Sequence, residues 1–199
     1  MSDAPQAAVL VRHAETQWSL DGRHTGRTDV PLTERGREAA RALAPRLARW
    51  DFQTVLVSPL RRARETCELC GLGARAQVQQ ELAEWDYGEY EGLTTSEIHE
   101  LAPEWVLWRD GCPRGESPDE VGARADLALG ALAAAPAQAV LFSHGHMLRV
   151  LAARWIALDA AHGARLGLSP AALCVLGHER DTAIIALWND TGELSGAGA

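Results

Sequence analysis

No apolar run in this 199-residue chain reaches the length of a membrane-spanning helix. The nearest approach, the Ala-rich stretch from Leu127 to Leu141, is too short and contains Pro136, so no membrane partner is expected. The start, MSDAPQAAVLVRH, lacks both the basic opening and the long apolar stretch of a secretion signal. Cysteine is scarce, with only Cys67, Cys70, Cys112 and Cys174 present. Cys67 and Cys70 lie in a helical stretch, and no second Cys/His pair has the spacing to complete a zinc site with them. They therefore read as small buried hydrophobes, and the chain as cytoplasmic with reduced thiols. Positive charge is also in deficit. The formal net charge is −8 and the pI is near 5.3, which argues against nucleic acid, since duplex binding needs a broad basic face. A small anionic substrate needs only local positive charge and stays open.

What is present is the composition of a globular protein, 47% hydrophobic and 23% charged, in a length suited to one domain over residues 1–199. Ala7 to Val11 is a short apolar run that ends at Arg12-His13 and reads as a buried strand. Gly26 and Pro31 break the segment Arg23–Leu32 into loop. Thr33 caps a helix to about Arg49, with Ala40, Leu43, Ala44 and Leu47 on one face. Thr54–Ser58 is a second strand, followed by a helix from Ser58-Pro59 through Cys70. Gln77–Leu82 reads as a short extended piece and Glu84–Leu93 as irregular loop. Ser117-Pro118-Asp119-Glu120 is a capping box with Pro at the first helical position, and its helix carries Val121, Ala125, Ala128, Leu129 and Leu132 on one stripe. Ala139–Ser143 is a third buried strand and Gly145–Leu158 the next helix. Ala171–Gly177 and Thr182–Trp188 form a terminal hairpin through His178–Asp181, and a mobile Gly/Ala-rich tail follows about residue 191. This alternation predicts an α/β domain with a mostly parallel central sheet.

Three of these strands end in polar residues: Arg12-His13, Ser58, and Ser143-His144. Ligands of open α/β sheets bind at the carboxyl ends of strands, so these residues are expected to converge. Arg12, Arg61 or Arg62, His13 and His144 would then surround one point with cations and donors. A guanidinium fork fits phosphate oxygens and stays charged, and helix N-termini after Ser58 and His144 add N–H donors. Such a pocket suits the spread charge of phosphoryl transfer. A neutral His13 can serve as its nucleophile, with one ring nitrogen held by a backbone carbonyl and the other free. A general acid must protonate the leaving oxygen, and among Glu81, Glu84, Asp86, Glu89 and Glu91 the candidate is Glu84.

The same residues resemble the motifs of the histidine phosphatase superfamily, also called phosphoglycerate mutase-like. Arg12-His13-Ala14-Glu15-Thr16 is similar to its RHG motif, with Ala14 in the usual glycine position; this substitution is harmless if the backbone there has negative φ. Trp18-Ser19, Gly26, Asp29 and Pro31-Leu32-Thr33-x-x-Gly36 resemble the first loop and helix. Ser58-Pro59-Leu60-x-Arg62-Ala63-x-x-Thr66 resembles the second motif and selects Arg62 over Arg61. Leu82-x-Glu84-x-x-x-Gly88-x-x-Glu91-Gly92 resembles the acid loop and selects Glu84. Ser143-His144-Gly145 resembles the late histidine motif. The resemblance implies a three-layer α/β/α sandwich, no metal and no cofactor, His13 as phosphoryl acceptor, Glu84 as acid and base, and Arg12, Arg62 and His144 as the clamp. The stretches GRHTGRTDVPLT, EWDYGEYEGLT and WRDGCPRGES resemble the branch of bacterial acid phosphatases and sedoheptulose bisphosphatase-like enzymes. That similarity adds Ser19, His24, Thr25, Ser58, Tyr87, Gly145 and Arg149 as substrate-side residues.

The function expected is hydrolysis of a small phosphorylated metabolite, with a sugar phosphate or bisphosphate as the family-based candidate. The alternative is a phosphoglycerate mutase, which would return the phosphoryl group to a bound phosphoglycerate. Mutases of this family carry a longer insertion with extra basic residues between the Glu and late His motifs. Here the segment Thr94–Asp119 is short and offers only Arg109 and Arg114, which favours hydrolysis. A non-catalytic phosphate binder would keep the arginines but lose His13 or Glu84, and both are present. Trp85, Tyr87, Trp105 and Trp108 read either as a wall over the leaving group or as core. Assembly is left open, a homodimer included.

Overall fold

Alternation along single strands splits the core in two. The computed structural model describes residues 8–135 and 138–192. The strands are β1 (Ala8–Arg12), β2 (Thr54–Val57), β3 (Gln77–Val78), β4 (Ala139–Ser143), β5 (Leu173–Glu179) and β6 (Thr182–Asp190). In β1, Ala8 and Leu10 face one apolar cluster while Val9 and Val11 face another. Leu56 and Leu141 follow the first pair; Val55, Val57, Val140 and Phe142 follow the second. Successive side chains of a strand point to opposite faces, and a sheet that is apolar on both faces must be covered on both.

Helices supply the cover. They are α1 (Gln17–Leu20), α2 (Glu34–Leu47), α3 (Arg61–Leu69), α4 (Thr95–Leu101), α5 (Leu107–Asp110), α6 (Pro118–Ala134) and α7 (Gly145–Trp155). Leu43 and Leu47 of α2, with Ala63 and Cys67 of α3, cover the face of Val9 and Val11. Val121, Ala125, Ala128 and Leu132 of α6, with Met147, Leu148 and Leu151 of α7, cover the other. The result is a three-layer α/β/α sandwich around a sheet of order β3-β2-β4-β1-β5-β6. The pairs β2–β3, β2–β4 and β1–β4 are parallel, whereas β1–β5 and β5–β6 are antiparallel.

Register decides where the chemistry falls. Arg12 is the cross-strand partner of Ser143, and Val57 that of Phe142. The residues that leave the sheet next are His13, His144 and Ser58, at the carboxyl ends of three adjacent parallel strands.

Several boundaries differ from the sequence reading. The helix expected from Ser58-Pro59 starts at Arg61, with Leu60 as its N-cap. The one expected to reach Leu158 stops at Trp155. Only Gln77–Val78 of the extended piece is strand; Gln80–Leu82 closes into a 3₁₀ turn. The short helices α1, α4 and α5 were not foreseen. Capping boxes at Thr16/Ser19 and Thr94/Glu97 start the first two, but four to seven residues carry too little periodicity to reveal a helix. The capping box at Ser117/Glu120 is present as read. The tail expected to be mobile lies, beyond Gly192, outside the described residues, as does the extreme N-terminus. Among the described residues no helix is long and apolar enough to cross a membrane.

Leu10 sits at the centre of the sheet and is 0% exposed. Leu10→Ala is expected to cost about 2–5 kcal/mol, the range for a buried leucine cavity. Urea unfolding should show a lower midpoint with an unchanged slope.

Candidate active site

His13 leaves β1 with its backbone N–H still donating to Ser143 O at 2.9 Å, so its ring is fixed relative to β4. The next peptide is held as well: Ala14 N donates to Thr66 Oγ1, which donates in turn to Arg62 O. Ala14 is fully buried and is not among the residues with positive φ, so the condition for replacing glycine is met. His13 Nδ1–H donates to Ala14 O at 2.7 Å. A neutral ring with its proton on Nδ1 leaves the Nε2 lone pair free. His13 is 5% exposed and lines the cavity. Burial, then the charges of Arg62 and Arg12, hold its pKa well below the usual 6.5.

Arg62 lies beneath, fully buried. Its Nη2 donates to the carbonyls of Thr25 and Gly26, both at 2.9 Å, and its Nη1 to Thr28 O at 3.0 Å. These carbonyls belong to a loop that Glu91 shapes by accepting from Gly26 N and Thr28 N. Arg62 Nε donates to His144 Nδ1 at 3.2 Å, and His144 Nε2 meets Ser58 Oγ at 2.6 Å. Nδ1 accepts, so the proton of this imidazole sits on Nε2 and is donated to Ser58. Burial, then Arg62, drives the His144 pKa well below 6.5. The His13 and His144 rings stand 5.1 Å apart, centroid to centroid.

Ser58 therefore differs from its expected role. It is fully buried and absent from the cavity lining, and its hydroxyl holds His144 instead of facing substrate. Arg62 and His144 also sit below the lining, with one N–H of Arg62 Nη1 left without a protein partner among the described residues.

Arg12 is positioned from two sides. Its Nη1 donates to Leu168 O, and its guanidinium lies on the backbone of Gly145, where a Cβ would stand 3.2 Å from Arg12 Cζ. Arg12 Nε is buried with no partner among the described residues. Gly145 thus makes room for the cation at the start of α7.

Glu84 faces the same cavity, 7% exposed. Its Oε1 accepts from Trp85 N and Met147 N, its Oε2 from His146 N at 3.1 Å. The N-terminal donors of α7 hold the carboxylate in place, and Oε2 has the freer lone pairs. Arg124 on α6 braces the segment behind it, donating to Glu81 O, Ala83 O and Glu84 O while paired to Glu116. Neither Arg124 nor Glu116 carried a signal in the sequence, because each acts on backbone atoms of distant residues.

The cavity, about 240 Å³, is lined by Ser19, His24, Thr25, Tyr87, Gly145 and Arg149 in addition to Arg12, His13 and Glu84. Ser19 Oγ is engaged in the capping box of α1 and Thr25 Oγ1 donates to Arg23 O. His24 Nδ1–H donates to Leu93 O at 3.0 Å. Arg149 donates to Gly163 O and Ala164 O and stacks 4.5 Å over Trp108. Of the further lining residues that escaped the sequence reading, two are ionisable, Arg23 and His146. Each directly adjoins a motif residue, His24 in one case and Gly145 in the other, and that adjacency was the available signal. Trp85 and Trp105 are buried behind the cavity as core; of the four aromatics read either as wall or as core, Tyr87 alone lines it. Among the described residues no three His, Cys, Asp or Glu side chains converge as a metal site.

Similarity to known proteins extends over most of the chain. An acid phosphatase of Mycobacterium tuberculosis is 43% identical over 92% of this chain and 92% of its own. A sedoheptulose 1,7-bisphosphatase of Saccharomyces cerevisiae is 32% identical over 75% of this chain and 67% of its own. A probable phosphoglycerate mutase of Cronobacter sakazakii is 31% identical over 90% and 88%. The solved structure of an open-reading-frame product of Mycobacterium tuberculosis superimposes with a TM-score of 0.87 at 40% identity, covering 94% of this chain and 99% of that one. The profile of the histidine phosphatase superfamily (branch 1) matches residues 8–191, and the chain belongs to that superfamily.

Proposed function

We propose that this phosphatase hydrolyses a small phosphomonoester through a phosphohistidine on His13 Nε2. The observation that carries the reading is the state of that ring: neutral, anchored through Nδ1–H to Ala14 O, and flanked by two guanidiniums. In the first step the Nε2 lone pair attacks phosphorus and the bond to the ester oxygen breaks. Glu84 gives that oxygen a proton, and the alcohol leaves. In the second step Glu84 takes a proton from water, whose oxygen attacks phosphorus; the P–N bond breaks and inorganic phosphate departs. Arg12 and the remaining N–H of Arg62 oppose the charge on the transferring oxygens. Ser58 and Arg62 hold His144 beneath them.

Transfer to a second substrate position has less support. Of the two basic residues between Thr94 and Asp119, Arg109 pairs with Asp110 and Arg114 with Glu89, both largely exposed and neither lining the cavity. Four free, buried cysteines, with thiols pushed up to about 12 by burial, support work in a reducing compartment such as the cytoplasm.

Acid-labile label from a phosphorylated substrate should appear on His13 after rapid quenching, and His13→Ala should lose both label and turnover. Label on any other side chain would assign the nucleophile elsewhere. Glu84→Gln should lower kcat on an alkyl phosphate by about 10²–10⁴-fold, and markedly less on p-nitrophenyl phosphate, whose leaving group needs no proton. Equal losses on both would remove Glu84 from the acid role.

The depressed histidines set a pH signature. Below pH 6.5, the ordinary imidazole value, the unfolded chain takes up protons at His13, His144 and His146 that the folded chain refuses. The unfolded state then binds more protons, so stability falls as the pH falls. Tm should decline as the pH drops below 6.5, while kcat/KM for nitrophenyl phosphate shows no loss from His13 protonation around that value. An acid limb centred near 6.5 that follows His13 would contradict the neutral-ring geometry.

A further inference from the structure

His146 is the first residue of α7 whose side chain enters the cavity, and the mechanism above uses only its backbone. Its N–H holds Glu84 Oε2 at 3.1 Å, so its side chain stands beside the group that protonates the leaving oxygen. The imidazole is caged by rings: Trp108 at 5.3 Å, Tyr87 at 5.8 Å, His24 at 6.2 Å and Trp85 at 6.3 Å between centroids. His24 and His146 are nearly parallel, 6° apart.

The protonation of this ring follows from its neighbour. Tyr87 Oη lies 2.6 Å from His146 Nδ1 and makes no other hydrogen bond among the described residues. Tyr87 is 1% exposed, and burial holds its hydroxyl well above its usual pKa of 10, so it keeps its proton. That buried proton has one acceptor in reach, His146 Nδ1. The single proton of the neutral imidazole is then on Nε2. His146 Nε2 has no protein partner among the described residues, yet it is not among the fully enclosed unpaired atoms, so it opens to the cavity that His146 lines. His24 is set the other way. Its Nδ1–H is spent on Leu93 O, which leaves Nε2 as an acceptor. One donor and one acceptor thus face the leaving-group side of Glu84, with aromatic rings packed around the donor.

We infer that His146 is a specificity-determining residue whose Nε2–H donates to a hydroxyl of the leaving group, with Tyr87 as the positioning residue that fixes the tautomer. The substrate class is then a monoester of a small polyhydroxylated alcohol, with His24 Nε2 accepting from a second hydroxyl. This rests on the phosphatase reading and adds the leaving group to it. A site built to pair a hydroxyl discriminates against an analogue that lacks it, because the buried polar groups are left unpaired.

The test compares two primary-alcohol esters, ribose 5-phosphate and n-pentyl phosphate, which place similar demands on Glu84 and differ in their hydroxyls. Their kcat/KM ratio in the wild type should favour ribose 5-phosphate, and His146→Leu should cut that ratio by about tenfold or more. His146→Gln, whose amide N–H falls near the position of Nε2, should restore most of it. A ratio unchanged in His146→Leu, or lost equally in His146→Gln, would overturn the inference, as would a general loss on both esters. Long-range ¹⁵N–¹H spectra of the wild-type protein read the tautomer without any substitution, and a proton on His146 Nδ1 would equally overturn it. Failure of the wild type to hydrolyse either ester or nitrophenyl phosphate would instead overturn the phosphatase reading beneath it.

Discussion

Two guanidinium groups are withdrawn from water beside one imidazole, and much of the surrounding structure answers that cost. An unpaired buried charge is expensive unless its donors are satisfied. Four of the five N–H groups of Arg62 are taken by three carbonyls of the loop after His24 and by one histidine nitrogen. The loop carbonyls would not converge without Glu91, which gathers the N–H groups of Gly26 and Thr28. A carboxylate far along the chain thereby shapes the seat of the cation. Burial first, and then the same two cations, keep His13 unprotonated, so an element that binds phosphate also helps prepare the nucleophile.

Glu84 faces the corresponding problem with opposite sign. Its oxygens take amides from α7, and the chain behind it is clamped by Arg124. Gly88 completes this clamp. Its φ is +51° and a Cβ would fall 2.2 Å from Pro113 O, so the acid loop packs backbone to backbone against residues 113–115. The acid is thus placed by two helices and a glycine contact, while Ser143 of β4 holds Leu82 O two residues before it.

Strands, long helices and the convergence of three strand ends were legible in the sequence because each leaves a local pattern: Ala8–Arg12 and Ala139–Ser143 as apolar runs ending in polar pairs, Ser117–Glu120 as a cap. The residues matching family motifs were legible through resemblance. What was not legible was the partner chemistry. Ser58 looks the same in sequence whether it meets substrate or His144. Arg124 is one arginine among nineteen basic residues, and its value lies in carbonyls some forty positions away. His146 reads as the residue after a motif until Tyr87, fifty-nine positions earlier, is seen to touch it.

Arginine partners divide by location. On the outside, Arg37, Arg46, Arg109 and Arg154 meet carboxylates. Around the cavity, Arg12, Arg62 and Arg149 meet carbonyls. A carbonyl aims a guanidinium without neutralising it, so these three stay charged around the cleft, with Glu84 beside them, inside a body of net charge −8. Such a molecule acts as a size filter for anions. A compact dianion meets the cationic cleft alone, whereas an extended polyanion must also meet a body of net charge −8.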